Sequence, residues 1–137
     1  MRAGLILVRL KIMKKLKNKI LADFVIVGSG NIALRHLGNI YKRKPNSVIV
    51  IVKRSRSKLN PKFKKYSTFI TSEINNIEPI SKKSSAFICS PATMHIDDSI
   101  ILAKSKFNLF IEKPLSLNAR GIKSLINIKN KYRLDVM

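Results

Sequence analysis

Phe24-Val25-Ile26-Val27-Gly28-Ser29-Gly30-Asn31-Ile32-Ala33 is the stretch on which the fold turns. Four apolar residues in a row suit a strand covered on both faces, and such a strand in a parallel sheet leads through a turn into a helix. The pattern GxGxxA in that setting has a physical reading at each position. Gly28 permits a tight turn, Gly30 leaves the backbone open to a pyrophosphate, and small Ala33 lets the helix pack closely on the strand. Asn31 and Ile32 begin the helix, whose free amides point at the phosphates. The plainer reading is a Gly-Ser-Gly turn that joins strand to helix and binds nothing.

Outward from this loop the chain alternates between two periods. Ala33, Leu37, Ile40 and Tyr41 recur at helical spacing, and residues 42–46 with Pro45 supply a stop. Val48 to Val52 is a second strand. Residues 53–67 read as a basic loop, residues 68–71 as a short strand, and the stretch to about Lys83 as weak helix or loop. Ala86-Phe87-Ile88-Cys89 is a further strand closed by Ser90-Pro91, after which Ile96, Ile100, Ala103 and Phe107 mark a helix. Asn108 to Ile111 is the next strand, and Ile122, Leu125 and Ile126 are the inner face of a helix over residues 118–131. Leu134 to Met137 reads as the start of one more strand, cut short. Alternating strands and helices predict an α/β fold with a doubly wound parallel sheet, because parallel neighbours need a crossover. The expected division is a basic extension over residues 1–22 and a dinucleotide-binding domain over residues 23–137.

The chain of 137 residues carries 28 Lys and Arg against 7 Asp and Glu, a net charge of +21, with 45% hydrophobic residues. That hydrophobic content excludes a polar disordered chain, and no apolar run approaches the roughly 20 residues that span a bilayer. Residues 1–66 hold 18 basic residues and one acid, Asp23, whereas residues 67–137 hold 10 and 6, so the halves are +17 and +4. Such a field favours anionic partners: nucleic acid, an acidic membrane surface or a phosphorylated small molecule. A compositional bias toward Lys, Ile and Asn would give the same excess. One cysteine, Cys89, rules out an intramolecular disulfide and argues against a zinc or cluster site, so a cytoplasmic setting and no metal are expected. In the extension, Ile6, Leu10, Met13, Leu16 and Ile20 form an apolar helical stripe that Arg9 and Lys17 interrupt. It reads either as a helix for a membrane surface or acidic partner, or as a frayed tail. Arg9 and Lys11 end the apolar run before it reaches the length of a signal-peptide core.

The second strand delivers the side chains that read the adenosine ribose, and here Lys53-Arg54-Ser55-Arg56 follows Val52. An acid there would bind the ribose hydroxyls and repel a 2′-phosphate. Arg or Lys beside Ser binds that phosphate instead, so NADP is expected over NAD, with Lys53, Arg54 and Ser55 as its readers. The alternative is solvated loop charge. Arg35 and His36 read as surface residues of the first helix.

Three motifs in order, residues 25–36, Ile88-Cys89-Ser90-Pro91 with His95, and Glu112-Lys113-Pro114-Leu115, resemble the Gfo/Idh/MocA oxidoreductase family. The resemblance spans about residues 23–137, the amino-terminal Rossmann-like domain of that family, with nothing of its carboxy-terminal α+β domain. It implies a nicotinamide dinucleotide, NADP or NAD, held beside Ser90 and Pro91, and hydride transfer at a secondary alcohol of a sugar or cyclitol. It also implies that Glu112-Lys113-Pro114 lies near the nicotinamide, with Lys113 as the catalytic residue that holds substrate and assists proton movement. Glu112 would orient the loop. His95 either touches the ligand or completes the first turn of its helix. Because the family's second domain supplies most of the substrate pocket, this chain is expected to bind cofactor, to lack turnover alone, and, with a sheet edge and helix face uncovered, to be marginally stable or to self-associate. The rival is a non-catalytic nucleotide- or nucleic-acid-binding protein. Rossmann-like order and the lack of aromatic interleaving argue against nucleic acid.

Overall fold

The computed structural model describes residues 18–137. The helical stripe expected over residues 6–20 therefore lies outside the described residues, except at its last position. There, Ile20–Ala22 is a strand, β1, not a helix, and it pairs in parallel with β5, Ile77–Pro79.

The main sheet has five strands, all parallel: β2 (Phe24–Val27), β3 (Ile49–Val52), β4 (Phe69–Thr71), β6 (Ser85–Ile88) and β7 (Asn108–Ile111), in the order β4-β3-β2-β6-β7. The chain winds outward from β2 in both directions, which makes β2 and its neighbours the place where the winding reverses. A ligand crevice opens at the carboxyl ends of the strands at such a point. The expected last strand pairs beside β7, with Val136 bridging Leu109 and the Ile111 amide donating to the Met137 carbonyl at 2.8 Å.

Helices cover both faces. On one, α1 (Asn31–Arg43) and α2 (Pro61–Tyr66) close over Ile26, Ile49 and Ile51 with Ala33, Leu37 and Phe63. On the other, α3 (His95–Lys104) and α4 (Ile122–Tyr132) close over Val25, Val27, Val50 and Ile88 with Leu102, Phe107 and Leu125. The alternation of β2 explains this: successive side chains point to opposite faces, and both faces are apolar. Two expectations fail here. Residues 61–66 are helical rather than loop, started by Asn60, whose side chain accepts from the Lys62 amide, and by Pro61. Ile126 is 49% exposed, and the face of α4 that packs inward uses Ile122, Leu125, Ile128 and Tyr132.

Register fixes the site. Val27 lies level with Val52 and Ile88, so Gly28, Lys53 and Cys89 emerge together at one edge of the sheet. Three loops begin there side by side.

Candidate functional site

The Gly28 amide donates to the Val52 carbonyl at 2.9 Å, extending the β2–β3 ladder one step into the loop. Gly28 then turns with φ of 115°, and a Cβ there would lie 2.5 Å from the Cys89 carbonyl oxygen. Only glycine suits that position. Gly30 differs: it caps α1 without any side-chain hydrogen bond, and a Cβ built on it meets nothing within 4 Å. The first amides of an α-helix have no acceptor inside the helix, so they face this open space. A cavity of about 640 Å³ adjoins it, walled by the glycine loop, Val52, Arg54 to Ser57 in part, and Cys89 to Pro91 with Met94. An anionic group that approaches the backbone closely fits this cradle, as a dinucleotide pyrophosphate does.

Six of the residues singled out from the sequence line the cavity: Gly28, Gly30, Arg54, Ser55, Ser90 and Pro91. Asn31 starts α1, and Ile32 is exposed beside it. Ala33 is fully buried against the sheet, where it sets the approach of helix to strand. Lys53 turns back to donate to the Ser55 carbonyl. His95, Glu112 and Lys113 sit outside the cavity wall.

Arg54 is paired with an acid. Its Nη1 donates to Asp98 Oδ1 at 2.8 Å and its Nη2 to Asp98 Oδ2 at 2.6 Å, a bidentate pair between the β3 exit and the first turn of α3. The hydrogen bonds from Arg54 to Asp98 raise the guanidinium above its ordinary pKa, burial opposes this, and the carboxylate charge adds to the rise. Asp98 is 2% exposed and also accepts from Ser90 Oγ at 2.7 Å. Sequence reasoning passed over Asp98, although it stands three residues after His95 in a chain with few acids.

The Glu112-Lys113-Pro114 segment is held from both faces of the sheet. On the α1 side, His36 Nε2 meets Glu112 Oε1 at 2.7 Å, and the His36 ring packs against both Phe87 and Phe110 at centroid distances of 5.1 and 5.2 Å. His36 is therefore a partly buried bridge rather than the plain surface residue its helical position suggested. On the α3 side, His95 Nε2 lies 2.6 Å from the Ser90 carbonyl and Nδ1 lies 2.9 Å from the Pro114 carbonyl. Both partners accept, so a neutral ring donates to one of them at a time. His95 thus fastens two loops together, at the first residue of α3. Between these anchors Lys113 is exposed, and the Lys113–Pro114 peptide bond is cis. Cys89, at the cavity wall, has its pKa pushed up to about 12, first by burial and then by the charge of Glu112.

Comparison with known proteins follows the same outline. Residues 22–137 match the model of the oxidoreductase family described as an NAD-binding Rossmann fold, GFO_IDH_MocA. Among curated proteins no relative matches the chain. Among solved structures, the scyllo-inositol dehydrogenase of Lactobacillus casei with bound NAD(H) and scyllo-inositol superposes with a TM-score of 0.69 at 18% identity, covering 87% of this chain and 35% of that one. The WlbA dehydrogenase of Bordetella pertussis, in complex with NADH and UDP-GlcNAcA, gives 0.65 at 19%, covering 87% and 37%. A probable dehydrogenase of Thermotoga maritima gives 0.63 at 23%, covering 86% and 35%. At these identities the likeness is one of fold. The chain spans about a third of the length of these structures.

Proposed function

The chain belongs to the Gfo/Idh/MocA oxidoreductase family, matching its NAD-binding Rossmann domain over residues 22–137, and from that premise we propose that it binds NAD(H) in the cavity beside the Gly28-Ser29-Gly30 loop. The observation that carries this reading is the uncapped start of α1 opening, at a glycine with clear space before it, onto that cavity. The α1 amides take the pyrophosphate, Ser55 and Ser57 lie toward the adenosine ribose, and Ser90 and Pro91 lie toward the nicotinamide. Calorimetry tests it. NADH binds the wild-type chain, and Gly30→Val loses that binding because the new side chain fills the space the pyrophosphate needs. Equal affinity in the variant overturns the assignment.

A second reading, NADP, draws on Lys53, Arg54 and Ser55. The Arg54–Asp98 pair weighs against it, since the paired guanidinium brings no net charge to the ribose end.

The chemistry proposed for the site is hydride transfer at a secondary alcohol of a sugar or cyclitol. The nicotinamide supplies or takes the hydride. Lys113, exposed at the carboxyl edge between the His36–Glu112 and His95–Pro114 anchors, holds the substrate oxygen and stabilises its developing negative charge. Hydride and proton transfer need both reactants held in contact. The scyllo-inositol and UDP-GlcNAcA bound to those two dehydrogenases support the substrate class, and those chains are about two and a half times as long. This chain by itself is expected to bind cofactor without turnover. A single thiol fits a reducing cytoplasm.

A further inference from the structure

We propose that Asp98 determines which nicotinamide dinucleotide this domain accepts, selecting NAD over NADP by holding Arg54 in a neutral pair. The inference rests on the dinucleotide reading above and concerns the ribose end of that same cavity. Four observations carry it. Arg54 is the cationic residue that lines the cavity, together with Ser55 and Ser57. Its fork is closed on both oxygens of Asp98, at 2.8 and 2.6 Å. Asp98 is almost wholly buried, so water does not screen its charge from a neighbouring anion. Ser90 Oγ, at 2.7 Å, holds the carboxylate in place from the opposite loop.

In many Rossmann domains an acid at the end of the second strand repels the 2′-phosphate and bonds the ribose hydroxyls. Here that strand ends in Lys53-Arg54 and the acid comes from α3 instead, 44 residues further along the chain. The bidentate geometry makes the pair a unit. A 2′-phosphate brought to the remaining N–H groups of Arg54 would meet a guanidinium whose charge the Asp98 carboxylate already balances. An unphosphorylated ribose does not need that charge. Lys53 keeps its charge but does not line the cavity, its ammonium donating to the Ser55 carbonyl.

The test is titration calorimetry of the whole chain with NAD and with NADP at about 0.15 M ionic strength, where general attraction to the basic protein is screened beyond about 8 Å. The wild type binds NAD more tightly. Asp98→Asn, its fold checked by circular dichroism, shifts the ratio of affinities toward NADP by about tenfold, or about 1.4 kcal/mol. Adding Arg54→Gln removes that gain. A wild type that prefers NADP overturns the inference without any variant, and so does a ratio unmoved in Asp98→Asn or a gain that survives Arg54→Gln. Absence of binding for both nucleotides overturns the dinucleotide reading as well, which separates the two failures.

Discussion

Cys89 presents its carbonyl to the Gly28 turn and packs beside the α1-face core, so one residue senses both the loop and the sheet. Its thiol is pushed up to about 12 by burial and by Glu112, from an ordinary value of 9.0. The folded state therefore holds this proton more tightly than the unfolded state does. The resulting contribution to stability is fully present below pH about 9 and is lost as pH rises toward about 12. Two outcomes are expected: iodoacetamide modifies Cys89 at pH 8 far more slowly in the folded protein than in urea, and the urea midpoint falls more steeply above pH 9 in wild type than in Cys89→Ala. Equal rates of modification would contradict this account. At the same scale, the cavity residues Gly28, Gly30, Arg54, Ser55, Ser90 and Pro91 were legible because each lies in or beside a loop that ends a strand. Asp98 and His36 were not. An acid in the first turn of a helix reads as a complement to the helix dipole, and nothing local marks a partner 44 residues away. His36 likewise acquires its role from Phe87, Phe110 and Glu112, all brought in by the sheet.

The strands of the sheet were readable because each is a short apolar run with its turn residues in place, and parallel burial removes the alternation that would blur it. The elements that escaped are those with little apolar content. In α2, six residues long, Phe63 is the one buried side chain, and β5 includes a proline, Pro79. At 100° per residue, Ile126 points about 100° away from the centre of the Leu125–Tyr132 face, which is why two adjacent apolar residues, Leu125 and Ile126, do not share a side. The dependence of α2 on one anchor makes a prediction. Phe63→Ala leaves a cavity under the helix and costs about 3–5 kcal/mol, measured by urea unfolding. A loss below about 1 kcal/mol would show that α2 docks by other means.

For the molecule as a whole, the net charge of +21 opposes compaction and opposes contact between copies. Beyond β4 the main sheet has no further strand among the described residues, so that edge carries backbone groups open to pairing. Charge and edge act in opposite directions, and salt decides between them. Sedimentation velocity is expected to show monomer at about 0.01 M salt, where the screening length is about 30 Å, and self-association at about 1 M, where it is about 3 Å. Monomer across the whole range would show that the β4 edge is closed by its own side chains. The small β1–β5 ladder has a different, practical consequence. Residues 20–22 enter at the amino end of the strands, while the glycine loop opens at the carboxyl end. A biotin handle joined ahead of Asn18 would tether the domain to a sensor chip by the end opposite the glycine loop, leaving the nucleotide mouth turned toward the flow.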